Sequence, residues 1–129
     1  MTSIIPNVKI VVVDDDSSLR DLIATALMYC VNRNVLSFEN GLEAWNYISS
    51  SDGIDIVVSD VNMPEMDGIE LLSRIKDSYP DKICILMSGD VSNEKSAKKM
   101  GADAFLAKPF KISDLFDIVQ TYIVGAPHN

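Results

Sequence analysis

Five short apolar runs alternate along the chain with segments of helical periodicity, and this alternation constrains the fold more than any other feature. The runs are Lys9 to Val13, Val35 to Phe38, Ile54 to Ser59, Ile83 to Ser88 and Ala104 to Ala107. The first, third and fourth are almost unbroken in hydrophobicity, as strands covered on both faces are. Between them, Leu19, Leu22, Ile23, Ala26, Leu27 and Cys30 recur at helical spacing, as do Ile112, Leu115, Phe116, Val119, Tyr122 and Ile123. Leu42, Trp45 and Ile48 mark a shorter helix, and Ile69, Leu72 and Ile75 another. Asp16 or Ser17 is placed to cap the first helix and Asn40 the second, and Ser113 sits near the start of the last. The reading is a strand-helix unit repeated five times. That predicts an α/β fold, a (βα)5 doubly wound sheet of five parallel strands with helices on both faces.

At 129 residues, 47% hydrophobic and 23% charged, the chain suits one domain with a real core. The last periodic residue is Val124, so we expect a domain over 1–124 and a tail over 125–129. His128, the single histidine, falls in that tail, which excludes a histidine triad or a His-rich metal site. No apolar run approaches the roughly 18 residues of a membrane span. Met1-Thr2-Ser3-Ile4-Ile5-Pro6 lacks the basic start and long apolar stretch of a signal peptide. Cys30 and Cys84 lie in apolar segments without metal-ligand spacing and read as reduced core residues, so a cytoplasmic protein is expected. The net charge of −8 argues against direct nucleic-acid binding. It is unevenly spread: Lys95, Lys98, Lys99, Lys108 and Lys111 against Asp103 make 95–111 a +4 segment, leaving −12 elsewhere. This is either a solvated helix face or a partner surface of locally different sign.

In an open α/β sheet, chemistry gathers at the carboxyl ends of the strands. The first run ends in Asp14-Asp15-Asp16, the third in Ser59-Asp60, the fourth in Ser88-Gly89-Asp90 and the fifth in Lys108-Pro109. Singly, these could be a helix cap, turn formers and a strand stop. Together, such readings leave unexplained why four of five strand ends carry complementary groups. Crowded carboxylates repel one another unless a cation joins them, and hard oxygen ligands with room for a phosphate select Mg²⁺. Asp15 and Asp60 suit direct ligation, Asp14 a bound water, and a backbone carbonyl after Asp60 a further position. A divalent ion beside Lys108 is a receptor for a phosphoryl group, Ser88 can donate a hydrogen bond to it, and a carboxylate there can itself be the nucleophile. With no Gly-rich loop after the first run, neither a dinucleotide fingerprint nor a P-loop is present.

At this point the chain resembles the receiver domain of two-component response regulators, the CheY-like family. The stretches that carry the resemblance are Val11-Val12-Val13-Asp14-Asp15-Asp16, then Val58-Ser59-Asp60-Val61-Asn62-Met63-Pro64-Glu65-Met66-Asp67-Gly68, then Leu86-Met87-Ser88-Gly89, then Gly101-Ala102-Asp103-Ala104-Phe105-Leu106-Ala107-Lys108-Pro109-Phe110. The resemblance implies a flavodoxin-like sheet of strand order 2-1-3-4-5. It implies Asp60 as phosphoacceptor, Asp14 and Asp15 as the acidic pair for Mg²⁺ (Mn²⁺ able to substitute), and the Asn62 backbone carbonyl as a further ligand. Ser88 becomes the switch hydroxyl, Lys108 the contact to the phosphoryl group, Phe105 the switch aromatic, and Lys108-Pro109 a cis bond.

The implied function is a signalling phosphoacceptor of a two-component phosphorelay, not an enzyme on a separate substrate, although it catalyses its own phosphorylation and autodephosphorylation. Its phosphodonor would be a histidine kinase or a His-phosphotransfer protein. No particular output partner is implied, binding to neither nucleic acid nor membrane is expected, and a monomer or weak dimer is expected. The output face would be the fourth helix, fifth strand and fifth helix. Here the chain departs from the pattern: Ser88 to Lys108 is two residues shorter than expected, and Val91 to Met100 has large apolar residues only at its ends. A short, polar, weakly anchored fourth helix is expected. Asn62 and Asp90, which flank the site, are candidates for tuning dephosphorylation. Three other functions compete. A metal-dependent phosphatase would need a general acid where Asn62 stands. A degenerate receiver would lack part of the Asp14, Asp15, Asp60, Ser88, Lys108 set. A flavin-binding domain would be coloured.

Overall fold

The computed structural model describes residues 8–31, 34–51 and 53–123. The elements run β1 (Lys9–Val13), α1 (Ser17–Val31), β2 (Asn34–Phe38), α2 (Gly41–Ser50), β3 (Ile54–Asp60), α3 (Gly68–Ser78), β4 (Ile83–Ser88), α4 (Asn93–Lys99), β5 (Ala104–Ala107) and α5 (Ile112–Ile123). All strand pairs are parallel, in the order β2-β1-β3-β4-β5. The expected architecture and strand order are therefore both present. The expectations for the N-terminal segment, the Cys30 side chain and the tail with His128 lie outside the described residues. Among the described residues, no helix is long and apolar enough to cross a membrane.

Alternation along each strand divides the core in two. Val11, Val13, Val57, Cys84 and Leu86 point to one face, under Ala44 and Ile48 of α2, Leu71, Leu72 and Ile75 of α3, and Ala97 of α4. Ile10, Val12, Ile56, Val58, Ile85 and Met87 point to the other, under Ile23 and Leu27 of α1 and Leu115, Val119 and Ile123 of α5. Cover on both faces explains the unbroken apolar runs. Burial, with help from Asp103, pushes the Cys84 thiol up to about 12 against the pull of Lys76 and Lys82, so it stays protonated.

The starts of α1, α2 and α3 are capped by side chains. Asp16 Oδ1 accepts from the N–H groups of Ser18 and Leu19, which settles the first cap on Asp16. Asn40 accepts from Glu43 N and Asp67 from Glu70 N. Ser113 is not a cap: it lies inside α5, and Asp114 takes the Lys111 N–H.

Two apolar stripes differ from expectation. On α2 the inward residues are Gly41, Ala44 and Ile48, with Leu42 exposed and Trp45 half-buried against Tyr79. The cause is close approach, since a Cβ on Gly41 would collide with the Met66 carbonyl oxygen, so the buried side of α2 is built of small residues. On α1, Leu22 is exposed and the core contact is carried by Ile23, Ala24 and Leu27. Leu22 lines a shallow apolar groove with Leu19, Pro109, Phe110 and Ile112 instead.

α4 matches its expectation. It is seven residues long and buries only Ala97, while Val91 and Met100, its flanking apolar residues, are exposed.

Candidate functional site

Strand register brings the polar residues to one edge. Val13 pairs with Ser59, Asp60 with Met87, and Ser88 with Ala107. Asp14, Asp60, Ser88 and Lys108 therefore leave four adjacent strands within two residues of one another. The Lys108 N–H donates to the Ser88 carbonyl at 2.8 Å, across the cis Lys108-Pro109 bond's own strand end.

Asp14 is fully buried. Its Oδ1 accepts from Asp16 N at 2.9 Å, its backbone N–H donates to the Phe38 carbonyl at 3.1 Å, and its carbonyl accepts from Arg20 Nη1 at 2.7 Å. Asp15 is exposed beside it. Asp60, the last residue of β3, is 6% exposed. Gly68 packs against its backbone so tightly that a Cβ would strike the Asp60 carbonyl oxygen. The intervening loop passes through Glu65 in the left-handed region at φ 68° and returns through a Gly68 N–H to Val61 carbonyl bond of 2.8 Å. Asn62 is exposed in that loop.

Each of Asp14, Asp15 and Asp60 offers a carboxylate oxygen within 4.8 Å of the others. The Lys108 ammonium lies 3.0 Å from Asp60 Oδ1 and 3.4 Å from Asp14 Oδ2. Burial pushes the Asp60 carboxyl above its ordinary range, Lys108 pulls it back, and the Asp14 and Asp15 charges push it further up. For Lys108, burial works against the charged form, but Asp60 and Asp14 outweigh it and the pKa rises. The two directions are compatible because one ammonium faces two carboxylates, Asp60 and Asp14, while the Asp15 charge adds to the repulsion on Asp60. That surplus of negative charge on hard oxygen atoms fits a small divalent cation.

Ser88 is fully buried, and its Oγ accepts from Asp90 N at 3.0 Å and from Asn93 Nδ2 at 2.9 Å. Gly89 is exposed, with open space where a Cβ would sit. Asp90 turns outward: Ser92 donates to its Oδ1 through both Oγ and N–H, which holds the carboxyl below its usual range. Its carboxylate is thus spent on the β4–α4 turn. Phe105 is half-buried on β5, against the same side of the core as α4.

Sequence reasoning named Asp14, Asp15, Asp60 and Lys108, which meet, and Ser88, which stands beside them. It missed Arg20, Gly68 as a packing contact on the Asp60 backbone, and Asn93. Gly68 had a signal in Asp67-Gly68. The other two depend on side-chain paths that no spacing announces.

A family model described as the response regulator receiver domain matches residues 10–120. A chemotaxis protein CheY homolog of Campylobacter jejuni is 33% identical over 106 residues, covering 79% of this chain and 82% of that protein. A response regulator receiver domain protein from Clostridium thermocellum superposes with a TM-score of 0.83 at 30% identity, over 90% of this chain and 94% of that one. Response regulator protein TrrA of Thermotoga maritima, solved in complex with Mg²⁺-BeF, gives a TM-score of 0.81 at 27% identity, over 88% of this chain and 97% of that one.

Proposed function

Because the chain belongs to the response regulator receiver domains, we propose that it is the phosphoacceptor of a two-component phosphorelay, with Asp60 taking a phosphoryl group from a phosphohistidine on a histidine kinase or phosphotransferase. The observation that carries this reading is a buried carboxylate at the end of β3 with an ammonium 3.0 Å away and two more acids close enough to share a cation.

Asp60 Oδ is the nucleophile. As its bond to phosphorus forms, the phosphorus–nitrogen bond breaks and the imidazole leaves with the electron pair. Burial and the neighbouring acids favour protonated Asp60, and Lys108 favours the ionised form that attacks. Lys108, already between Asp60 and Asp14, follows the charge as it passes to the phosphoryl oxygens. When bound, Mg²⁺, held by Asp15 and Asp60 directly, by Asp14 through water and by the Asn62 carbonyl, would supply charge neutralisation on those oxygens, with Mn²⁺ able to replace it.

Ser88 then swings to donate a hydrogen bond from its hydroxyl to a phosphoryl oxygen, and Phe105 moves into the room this leaves. Two pre-existing conformers change population, and the face of α4, β5 and α5 changes its affinity for a partner. A coupling of about 1–3 kcal/mol would alter that affinity about 5–150-fold. Attack by water on the acyl phosphate returns the Asp60 carboxylate.

Incubation with acetyl phosphate and Mg²⁺ tests the acceptor. Intact mass should rise by one phosphoryl group, and Asp60→Asn should abolish the gain. A gain that survives the substitution overturns the assignment.

A further inference from the structure

The Ser88 oxygen has two positions for accepting hydrogen bonds and one proton to donate. Asp90 N–H and the Asn93 carboxamide fill both accepting positions, at 3.0 Å and 2.9 Å. Among the described residues, the hydroxyl proton itself has no acceptor. The two donors differ in kind. Asp90 N–H is backbone two residues along the same turn, whereas Asn93 is the first residue of α4. That helix has little else to hold it: Ala97 is its only buried residue, and Ser92, at the cap position, makes no side-chain capping bond.

We propose that Asn93 is a positioning residue that latches the Ser88 hydroxyl, and through it the first turn of α4, in the unphosphorylated conformer. The proposal rests on Asp60 as acceptor and on Ser88 as the hydroxyl that meets its phosphoryl group. To donate toward Asp60, Ser88 Oγ must swing away from the β4–α4 turn. Asp90 N–H can follow with the turn, but the Asn93 bond has to part, because Ala97 keeps the helix body on the core. Parting frees the start of the helix that carries Lys95, Lys98 and Lys99. The latch thus opposes activation and carries its signal to α4 in one step. Such a bond between neutral groups corresponds to about a two- to tenfold shift between conformers.

The test uses the full chain with Mg²⁺ and beryllofluoride as the phosphoryl analogue, and reads the apparent Kd from backbone amide shifts. Asn93→Ala should bind beryllofluoride about two- to tenfold more tightly. Without the analogue, its α4 amides should exchange faster than those of the wild type. In a Ser88→Ala background the same substitution should change neither quantity, because the accepting oxygen is gone. Unchanged or weaker binding by Asn93→Ala, or an equal gain in both backgrounds, overturns the latch. A folded wild type that binds no beryllofluoride brings down the phosphoacceptor reading and the latch together. Binding that needs Asp60 but ignores Asn93 brings down the latch alone.

Discussion

α3 and α4 pack against the same face of the sheet, and they are held there in opposite ways. α3 buries Leu71, Leu72 and Ile75, starts on an Asp67 cap and is pinned at its end by Lys76, which donates to Asp103 at 2.9 Å and to the Lys82 carbonyl at 2.7 Å. α4 buries one methyl group, on Ala97, and has no side-chain cap. The difference separates frame from moving part. α3 leads out of the loop that fixes Asp60, where a shift of an ångström would spoil the geometry. α4 follows Ser88, where movement is the proposed output. A receiver can report through α4 only if that helix opens at less free energy than the whole domain.

Core truncation should show the contrast most strongly. Leu72→Ala removes a buried side chain from a packed interface and should cost about 2–5 kcal/mol in urea denaturation. Ala97→Gly loses one buried methyl and some helix propensity, and should cost about 1–2 kcal/mol. Equal losses would mean that α4 belongs to the cooperative frame. Hydrogen exchange sharpens the point without mutation. Amides of α4 should exchange at least about tenfold faster than those of α3 at neutral pH, because one buried methyl and no side-chain cap hold α4 closed, against three buried side chains and a cap on α3. Matching protection would remove the distinction.

Much of this contrast could be read from residue types. Val91 to Met100 shows its poverty of apolar residues directly, and the helix it forms is as short and polar as that predicts. The strand ends were legible for the same reason, since carboxylates, a hydroxyl and a lysine stand where apolar runs stop. The α2 stripe was misjudged because Gly41 and Ala44 bury by being small, and periodicity of large apolar residues does not register them. Strand order followed from the family resemblance; no residue pattern in a parallel sheet states which neighbour a strand chooses. Asn93 was illegible because its contact depends on how the β4–α4 turn folds back, and the outward turn of the Asp90 carboxylate was illegible because its bonds to Ser92 are equally local, although its N–H does reach Ser88.

The acid pocket gives the frame a cost that can be measured. Asp60 has a raised pKa, so the stability linked to its protonated form is full below the ordinary carboxylate value and is lost as pH rises through the folded value. Asp60→Asn should therefore be more stable than the wild type at pH 7 without Mg²⁺. The gain should fade below about pH 4, where the carboxyl is protonated in the unfolded chain as well. Adding Mg²⁺ should raise the thermal midpoint of the wild type more than that of the variant. A variant less stable at pH 7 would show that the Lys108 pair outweighs burial and repulsion.

The smallest effect comes from two ion pairs that are nearly twins. Glu70 and Arg74 on α3, and Glu94 and Lys98 on α4, are each i,i+4 pairs at 2.9 Å between exposed side chains. Each should be worth about 0.3–0.5 kcal/mol, and neither should move the thermal midpoint detectably. Their local consequences should differ. α3 opens only with the whole domain, so Arg74→Ala changes a small fraction of a large free energy and its amide exchange should barely respond. α4 opens alone, so Lys98→Ala removes a sizeable share of what closes a seven-residue helix, and its amides should exchange about twofold faster. High salt should erase that difference by screening the pair. If the two substitutions give equal exchange changes at low salt, α4 is opening with α3, and the division between frame and moving part fails at its most sensitive point.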